Sequence, residues 1–122
     1  PGKGKKADTV FIYGTLRRGG TASALLVDSE YLGEAVVAGT LHDLGSYPAL
    51  RLGGDAPVHG EIWRCSTETL DRLDSYEGVR EGLFSRERVY LRQGSAWTYV
   101  AGPSLLAEIV AAPSFPSGRW PG

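Results

Sequence analysis

Short apolar runs separated by glycine and proline dominate the chain. Its 17 glycines and seven prolines punctuate segments rich in Val, Ile, Tyr and Trp, a pattern typical of short strands joined by turns. This pattern predicts strands at 10–13, 31–44, 58–64, 85–92 and 96–101, and 31–44 is long enough for one or two of them. The chain is therefore predicted to be mostly β.

Two segments have helical rather than strand patterns. A short helix is predicted around 21–27 and a longer one over 66–77, where Ser66 or Thr67 can accept hydrogen bonds from the free amides of the first turn. Glu68 favours the positive end of this second helix, and Gly78 ends it. The tail AAPSFPSGRWPG contains too much proline and glycine for regular structure, but Phe115 and Trp120 are large enough to pack it onto the body.

Glu77 has an unusual position in the longer helix. Leu70, Leu73 and Glu77 follow an i, i+3, i+7 spacing, so the carboxylate shares a face with the two leucines. Burial and the negative end of the helix dipole both disfavour the charged carboxylate, and we expect a raised pKa that suits proton transfer near neutral pH. The alternative is a solvated Glu77 in a frayed last turn, or one paired with Arg80 or Arg86.

The segment TVFIYGTLRRGG, residues 9–20, runs from an apolar strand into a turn. The turn consists of Tyr13, Gly14, Thr15 and Leu16. Gly14 permits a positive φ and close approach, and successive amides in such a bend can form a small anion-binding nest. Arg17 and Arg18 add positive charge beside it. The same residues are also compatible with the ordinary end of a strand followed by a solvated loop.

Phosphate is a weaker candidate for this turn than a carboxylate. The segment lacks the spacing G-x-x-x-x-G-K-[ST], and no G-x-G-x-x-G opens a helix. A metal site is not predicted either, because His42 and His59 have no cysteine or acid at metal-ligand spacing. Both histidines are expected on the surface or on a strand face, and Cys65 is expected to be a small packing residue.

Charge and length restrict the kind of partner. The chain has 122 residues, 42% of them hydrophobic, with 13 basic and 14 acidic side chains and a formal charge of −1. This length predicts one domain, and the balanced charge argues against nucleic acid and anionic membranes as partners, so a small molecule or a protein is favoured. The single cysteine and the absence of an apolar spanning run predict a soluble, cytoplasmic protein. Residues 1–8 are expected to be a disordered leader before one domain at 9–122.

Several motifs in order resemble the gamma-glutamylcyclotransferase-like family. They are VFIYGTLRRG, LGSYPALRLG, VHGEIWR, LDRLDSYEGV followed by FSRERVYL, and PSGRW. The likeness extends from Thr9 to Trp120. It implies an α+β fold, a small mixed β-barrel with a few short helices, and a cavity between the first turn and Glu77.

The resemblance also implies an enzyme and a mechanism. Glu77 aligns with the family's catalytic glutamate, and Tyr13, Gly14, Thr15 and Leu16 align with its substrate loop. The expected reaction converts a gamma-glutamyl amine or amino acid to 5-oxoproline and a free amine, with Glu77 as general acid and base and no metal or cofactor. If the helix ends earlier, Asp74 or Glu81 would be the acid instead. Related sequences often have tyrosine where this chain has Phe84, so that hydroxyl is lost here.

Two other functions remain open from the sequence. One is a non-catalytic small-ligand or interaction module that keeps the same barrel and pocket. The other is binding of a phosphate ester or nucleotide at Arg17 and Arg18, which retention of Glu77 and the YGTL turn makes less favourable.

Overall fold

The computed structural model describes residues 7–14, 23–45, 47–54, 56–92, 94–114 and 118–119, without the side chains of residues 110 and 111. The strands in these ranges are β1 (Ala7–Ile12), β2 (Glu30–Ala38), β3 (Thr40–Asp43), β4 (Pro48–Arg51), β5 (Pro57–Ser66), β6 (Phe84–Leu91) and β7 (Gly94–Ala101). The α-helices are α1 (Thr67–Tyr76) and α2 (Leu106–Ala111), and 3-10 turns cover Ser23–Leu26 and Pro103–Leu105. None of the helices in these ranges is long and apolar enough to span a bilayer.

The strands form one mixed sheet in the order β2-β5-β1-β7-β4-β3, with β6 paired to the other edge of β7. Strand β7 lies parallel to β1 at Trp97 and parallel to β4 at Leu50. It lies antiparallel to β6 over its whole length, from Phe84 paired with Ala101 to Leu91 paired with Gly94. The sheet curls into a half-barrel, and the predicted α+β class with a small mixed barrel and few short helices is confirmed.

Strand β1 is buried on both faces. Val10 and Ile12 belong to the cluster packed under the helices, whereas Phe11 and Tyr13 belong to a second cluster on the other face of the sheet. A strand covered on both sides requires apolar residues at consecutive positions, which explains the run VFIY. This central position fixes the point at which the chain enters the turn after Tyr13.

Helix α1 follows β5 directly. The Ser66 hydroxyl accepts a hydrogen bond from the Thr69 amide at 3.1 Å, so Ser66 is the N-cap, as its residue type predicts. Leu70 and Leu73 are buried against the cluster that contains Tyr99 and Phe84. The apolar side of α1 therefore packs against the face of the sheet that carries Val10, Trp63 and Tyr99.

Some boundaries differ from those predicted. Strand β1 begins at Ala7, inside the segment expected to be a leader, because Asp8 accepts hydrogen bonds from the Trp97 indole at 2.9 Å and from Arg88 at 3.3 Å. The expected helix around 21–27 is a 3-10 turn where the structure describes it. Residues 1–6 lie outside the described ranges.

The tail is attached through its main chain where it is described. Ser114 forms an antiparallel bridge with His42, the Asp43 amide donates to the Pro113 carbonyl, and the His59 amide donates to the Gly118 carbonyl. The tail therefore lies against β3 and β5. The expected contacts of Phe115 and Trp120 fall outside the described residues.

Candidate functional site

Glu77 is the C-cap residue of α1. Its amide donates to the Leu73 carbonyl at 2.9 Å, and Gly78 then reverses the chain with φ +65. A Cβ at Gly78 would lie 2.7 Å from Leu83 Cδ1, so glycine is required both for the left-handed backbone and for the space. The predicted helix end is confirmed, and Glu77 is held by regular helical hydrogen bonding.

The Glu77 carboxyl is partly buried and has no partner among the residues that the structure describes. Burial raises its pKa from 4.5 to about 7, in the direction predicted from its spacing. Within the described part of the chain it accepts no hydrogen bond and forms no ion pair. Arg86, one of the two partners considered from the sequence, pairs instead with Asp74, and Arg80 is exposed. Glu77 can therefore change its protonation state near neutral pH without breaking a contact.

Asp74, one helical turn earlier, has the opposite environment. Its Oδ1 atom accepts a hydrogen bond from the Tyr99 hydroxyl at 2.7 Å and lies 3.2 Å from Nε of Arg86. Arg86 also stacks on Trp97, with its guanidinium carbon 4.6 Å from the ring centroid. Asp74 is thus engaged in fixed contacts, which makes it a poor candidate for the mobile proton carrier.

Tyr13 ends the central strand with a fully engaged hydroxyl. It donates to the main-chain carbonyl of Tyr99 and accepts a hydrogen bond from the Leu50 amide at 3.1 Å. Burial, together with the negative charge of Glu77, raises the pKa of this phenol. The charge of Glu77 therefore acts on the phenol at the start of the predicted substrate loop.

Gly14 lies against the side chain of Pro48. A Cβ there would lie 3.0 Å from Cγ of Pro48, so its small size allows close contact between the turn and β4. Gly14 is not among the described glycines with a positive φ, so it does not use the conformational freedom that the sequence permits there. Thr15 and Leu16, the other two predicted loop residues, lie outside the described residues, as do Arg17 and Arg18.

Tyr99 connects both halves of the site. Its hydroxyl binds Asp74 on α1, while its carbonyl accepts the Tyr13 hydroxyl at the end of β1. The ring is buried, with 2% of its surface exposed. The sequence alone does not distinguish Tyr99 from an ordinary core aromatic residue, because its role depends on contacts with residues 25 and 86 positions away along the chain.

An aromatic pair forms part of the same cluster. The rings of Tyr47 and Phe84 are 6.0 Å apart at 58°, and Phe84 is buried beside Leu73 and Tyr99. This geometry is typical of tilted aromatic packing. Phe84 therefore contributes an apolar surface where a tyrosine would add a hydroxyl.

The remaining candidates are committed to packing. His42 is buried on β3, where its Nε2 accepts from Arg51 at 3.4 Å and its Nδ1 donates to the Ala112 carbonyl at 3.2 Å. Cys65 is buried, and burial raises the pKa of its thiol, which disfavours the reactive thiolate. Cys65 is thus a packing residue, as predicted.

Comparisons with known proteins agree with this arrangement. The model of the family described as "Gamma-glutamyl cyclotransferase, AIG2-like" matches residues 10–122. A Vibrio cholerae protein, named provisionally as a gamma-glutamylcyclotransferase, is 39% identical over 93 residues, which cover 75% of this chain and 79% of that protein. The gamma-L-glutamyl-butirosin B gamma-glutamyl cyclotransferase of Niallia circulans is 35% identical over 102 residues, covering 75% of this chain and 65% of that protein.

The fold is also found in solved structures. The crystal structure of an AIG2-like protein from Mus musculus superposes with a TM-score of 0.80 at 20% identity, over 93% of this chain and 88% of that one. At this identity the likeness concerns the fold alone. The family match covers the buried strand, the turn at Tyr13 and the helix that ends at Glu77. The chain therefore belongs to the gamma-glutamyl cyclotransferase, AIG2-like, family.

Proposed function

We propose that this protein cyclises a gamma-glutamyl amine or gamma-glutamyl amino acid to 5-oxoproline and releases the free amine, as an amine-releasing lyase or acyltransferase. The observation that carries the proposal is the Glu77 carboxyl. It is partly buried, has a pKa of about 7 and has no hydrogen-bonding partner in the described part of the chain. A carboxyl group of this kind suits a reaction that moves one proton out and back.

The first step is activation of the nucleophile. The ionised Glu77 accepts a proton from the α-ammonium group of the substrate, and the freed amine attacks the γ-carbonyl carbon of the same molecule. A five-membered ring forms through a new C–N bond. Because nucleophile and electrophile belong to one substrate, catalysis requires chiefly that the chain be folded into a reactive geometry.

The second step is departure of the amine. Glu77 returns the proton to the leaving nitrogen and the original γ-carbonyl C–N bond breaks. The ring nitrogen gives its second proton to the departing amine, which leaves as an ammonium ion, so the lactam is neutral and the enzyme regains its starting charge. A group with a pKa near 7 can act first as base and then as acid at physiological pH, and such proton transfer contributes roughly 10²–10⁴ in rate. No water, metal or cofactor enters the balance of atoms.

The turn at residues 13–16 is proposed to bind the α-carboxylate of the substrate. Tyr13 and Gly14 begin this turn close to Glu77, and main-chain amides at a bend can bind an anion. With Tyr13 held by two main-chain groups, the contribution expected from the loop is its backbone rather than the phenol. Thr15 and Leu16 are proposed to complete this turn.

The leaving group is proposed to be an amine, since the name of the Niallia circulans relative identifies a gamma-L-glutamyl derivative as its substrate. Phe84 and Tyr47 form an apolar surface in the cluster beside the site, which favours an amine with an uncharged alkyl or aryl portion. We further propose that the reaction takes place in the cytoplasm, where the buried, free Cys65 would stay reduced.

Release of 5-oxoproline from a panel of gamma-glutamyl amines and amino acids tests the proposal. Wild type is expected to form the product, and Glu77→Gln to lose at least about 100-fold in rate because it keeps the shape but cannot accept the proton. Glu81→Gln is the matched control, since its carboxylate lies four residues further on and is exposed. A silent wild type would favour a binding module, and an active Glu77→Gln would show that another group carries the proton.

A further inference from the structure

The Tyr99 hydroxyl is held in one orientation. Its oxygen lies 2.7 Å from Asp74 Oδ1, and an ionised carboxylate can only accept, so the phenol proton points to Asp74. Arg86 lies 3.2 Å from the same oxygen, and its stacking on Trp97 limits its movement. Asp74 Oδ1 is therefore held both by the Tyr99 hydroxyl and by a charged partner.

This orientation leaves the Tyr99 oxygen as an acceptor. A phenol that donates its only proton retains lone pairs for other donors. In the part of the chain that the structure describes, no donor occupies them. The ring itself is buried to 98% by its packing in the cluster with Leu73 and Phe84, so the position of this oxygen is well determined.

Glu77 lies one helical turn after Asp74, the residue that binds the Tyr99 hydroxyl. Burial and, in smaller part, the negative charge of Glu77 raise the pKa of both Tyr13 and Tyr99. The Tyr13 hydroxyl is already occupied by two main-chain groups. Among the described residues, two acceptors without a donor are thus associated with the same end of α1, the Glu77 carboxylate and the Tyr99 oxygen.

We propose that the Tyr99 oxygen accepts a hydrogen bond from the α-ammonium group of the substrate, with Asp74 and Arg86 as positioning residues. The inference rests on the proposed function and adds a substrate contact to it. An ammonium group has three N–H bonds, and Glu77 takes one proton. Tyr99 then holds a remaining N–H, which directs the nitrogen lone pair toward the γ-carbonyl carbon instead of leaving it free to rotate.

The experiment compares two ligands that differ only in the α-amine. Gamma-glutamyl methylamide carries it, and glutaric acid monomethylamide lacks it while keeping the carboxylate and the amide. Binding is measured by calorimetry in Glu77→Gln, which does not turn the first ligand over, with and without Tyr99→Phe. The proposal expects Tyr99→Phe to weaken binding of the amine-bearing ligand by about tenfold or more and of the amine-free ligand by less than about twofold.

Equal weakening of both ligands would mean that Tyr99 only supports the fold, and it would overturn the inference. No weakening of either would do the same. The positioning role of Asp74 is tested in the same assay. Asp74→Asn keeps an oxygen that accepts the phenol proton and should keep most of the selectivity for the amine, whereas Asp74→Leu should lose it as Tyr99→Phe does. If Asp74→Leu kept the selectivity for the amine and Asp74→Asn lost it, Asp74 would not be a positioning residue for Tyr99.

The experiments distinguish failure of the Tyr99 inference from failure of the proposed function. If wild type forms no 5-oxoproline from any gamma-glutamyl substrate, the reaction itself is wrong and the inference falls with it. If 5-oxoproline forms and Glu77→Gln abolishes it, yet Tyr99→Phe does not discriminate between the two ligands, the reaction stands and only the role of Tyr99 is refuted.

Discussion

Asp74 and Glu77 lie one helical turn apart, and their carboxyl groups have opposite surroundings. Asp74 accepts a hydrogen bond from Tyr99 and pairs with Arg86, whereas Glu77 has neither kind of partner in the described residues and its pKa is raised by burial to about 7. Two acids on one helix face are thereby suited to different tasks. Asp74 fixes the positions of Tyr99 and Arg86, and Glu77 is available for proton transfer.

The pH dependence of the reaction should report Glu77. Because the carboxylate must be ionised to accept the substrate proton, kcat/KM is expected to rise with pH through an apparent pKa of about 7. It should fall again at alkaline pH, where the substrate ammonium loses the proton that the leaving amine needs. The measurement is initial rates of 5-oxoproline release across pH at low substrate concentration.

Glu81→Gln should keep both limbs of this profile, and the residual rate of Glu77→Gln should lack the acidic limb. An acidic limb centred near 4.5, the ordinary pKa of the group, would show that burial does not govern the working proton carrier.

Replacing Glu77 should stabilise the protein at high pH. Below pH 4.5 the carboxyl is neutral in both the folded and unfolded states, so its burial then carries no charge penalty. As pH rises from 4.5 to about 7, the unfolded state ionises first, and stability is lost, by at most about 3 kcal/mol once both states are ionised. Urea denaturation should find Glu77→Gln more stable than wild type by up to that amount at pH 8.

The same comparison near pH 5 should give a difference below about 1 kcal/mol, since little of the linkage has developed there. A stability difference that does not change between pH 5 and pH 8 would contradict a raised pKa for Glu77. Glu81→Gln supplies the baseline for loss of an exposed acid from the same loop.

Local patterns were sufficient to predict several features of the fold and the site. The consecutive apolar residues of β1 predicted a strand, which the structure shows to be buried on both faces. The Ser66 cap and Gly78 defined the helix that ends at Glu77. The short strand β4 was missed, because four residues beginning with Pro48 show no clear alternation and their pairing with β3 and β7 is tertiary. Helix α2 was also missed, because its six residues are too few to show a helical pattern.

Tyr99 could not be assigned by the same reasoning. Its contact with Asp74 depends on how β7 sits under α1, and the approach of Arg86 depends on the pairing of Arg86 with Tyr99 between β6 and β7. Asp74 did carry a local signal, since it follows Leu70 by four residues and so lies near the apolar face. Counting that interval would have placed both acids on one side of the helix.

Tyr13→Phe should destabilise the fold without removing a charged group. The substitution deletes the hydroxyl that binds the Tyr99 carbonyl and the Leu50 amide, and it leaves two buried main-chain groups without that partner. The expected loss is about 1–3 kcal/mol in the free energy of unfolding, measured by urea denaturation. Tyr90→Phe, at a position 82% exposed, is the matched control and should change stability by less than about 0.5 kcal/mol. Equal effects would refute the structural role given to the Tyr13 phenol.

Gly78→Ala should both destabilise the protein and slow the reaction. Gly78 has φ +65, and a Cβ there would lie 2.7 Å from Leu83 Cδ1. We expect about 1–2 kcal/mol from the left-handed backbone and a smaller further loss from the crowded contact, because the partly exposed Leu83 side chain must shift. Gly45→Ala shares the left-handed backbone at φ +97 but has no neighbouring atom within 4 Å, so it isolates the first contribution.

The difference between these two glycine variants therefore measures the crowding at Leu83. Because Glu77 immediately precedes Gly78, movement of the chain to relieve that contact displaces the carboxyl, and kcat should fall in Gly78→Ala but not in Gly45→Ala. Unfolding curves and 5-oxoproline release would be measured on the same preparations. Equal stability losses with unchanged kcat in both variants would mean that the close packing of Gly78 against Leu83 does not position Glu77.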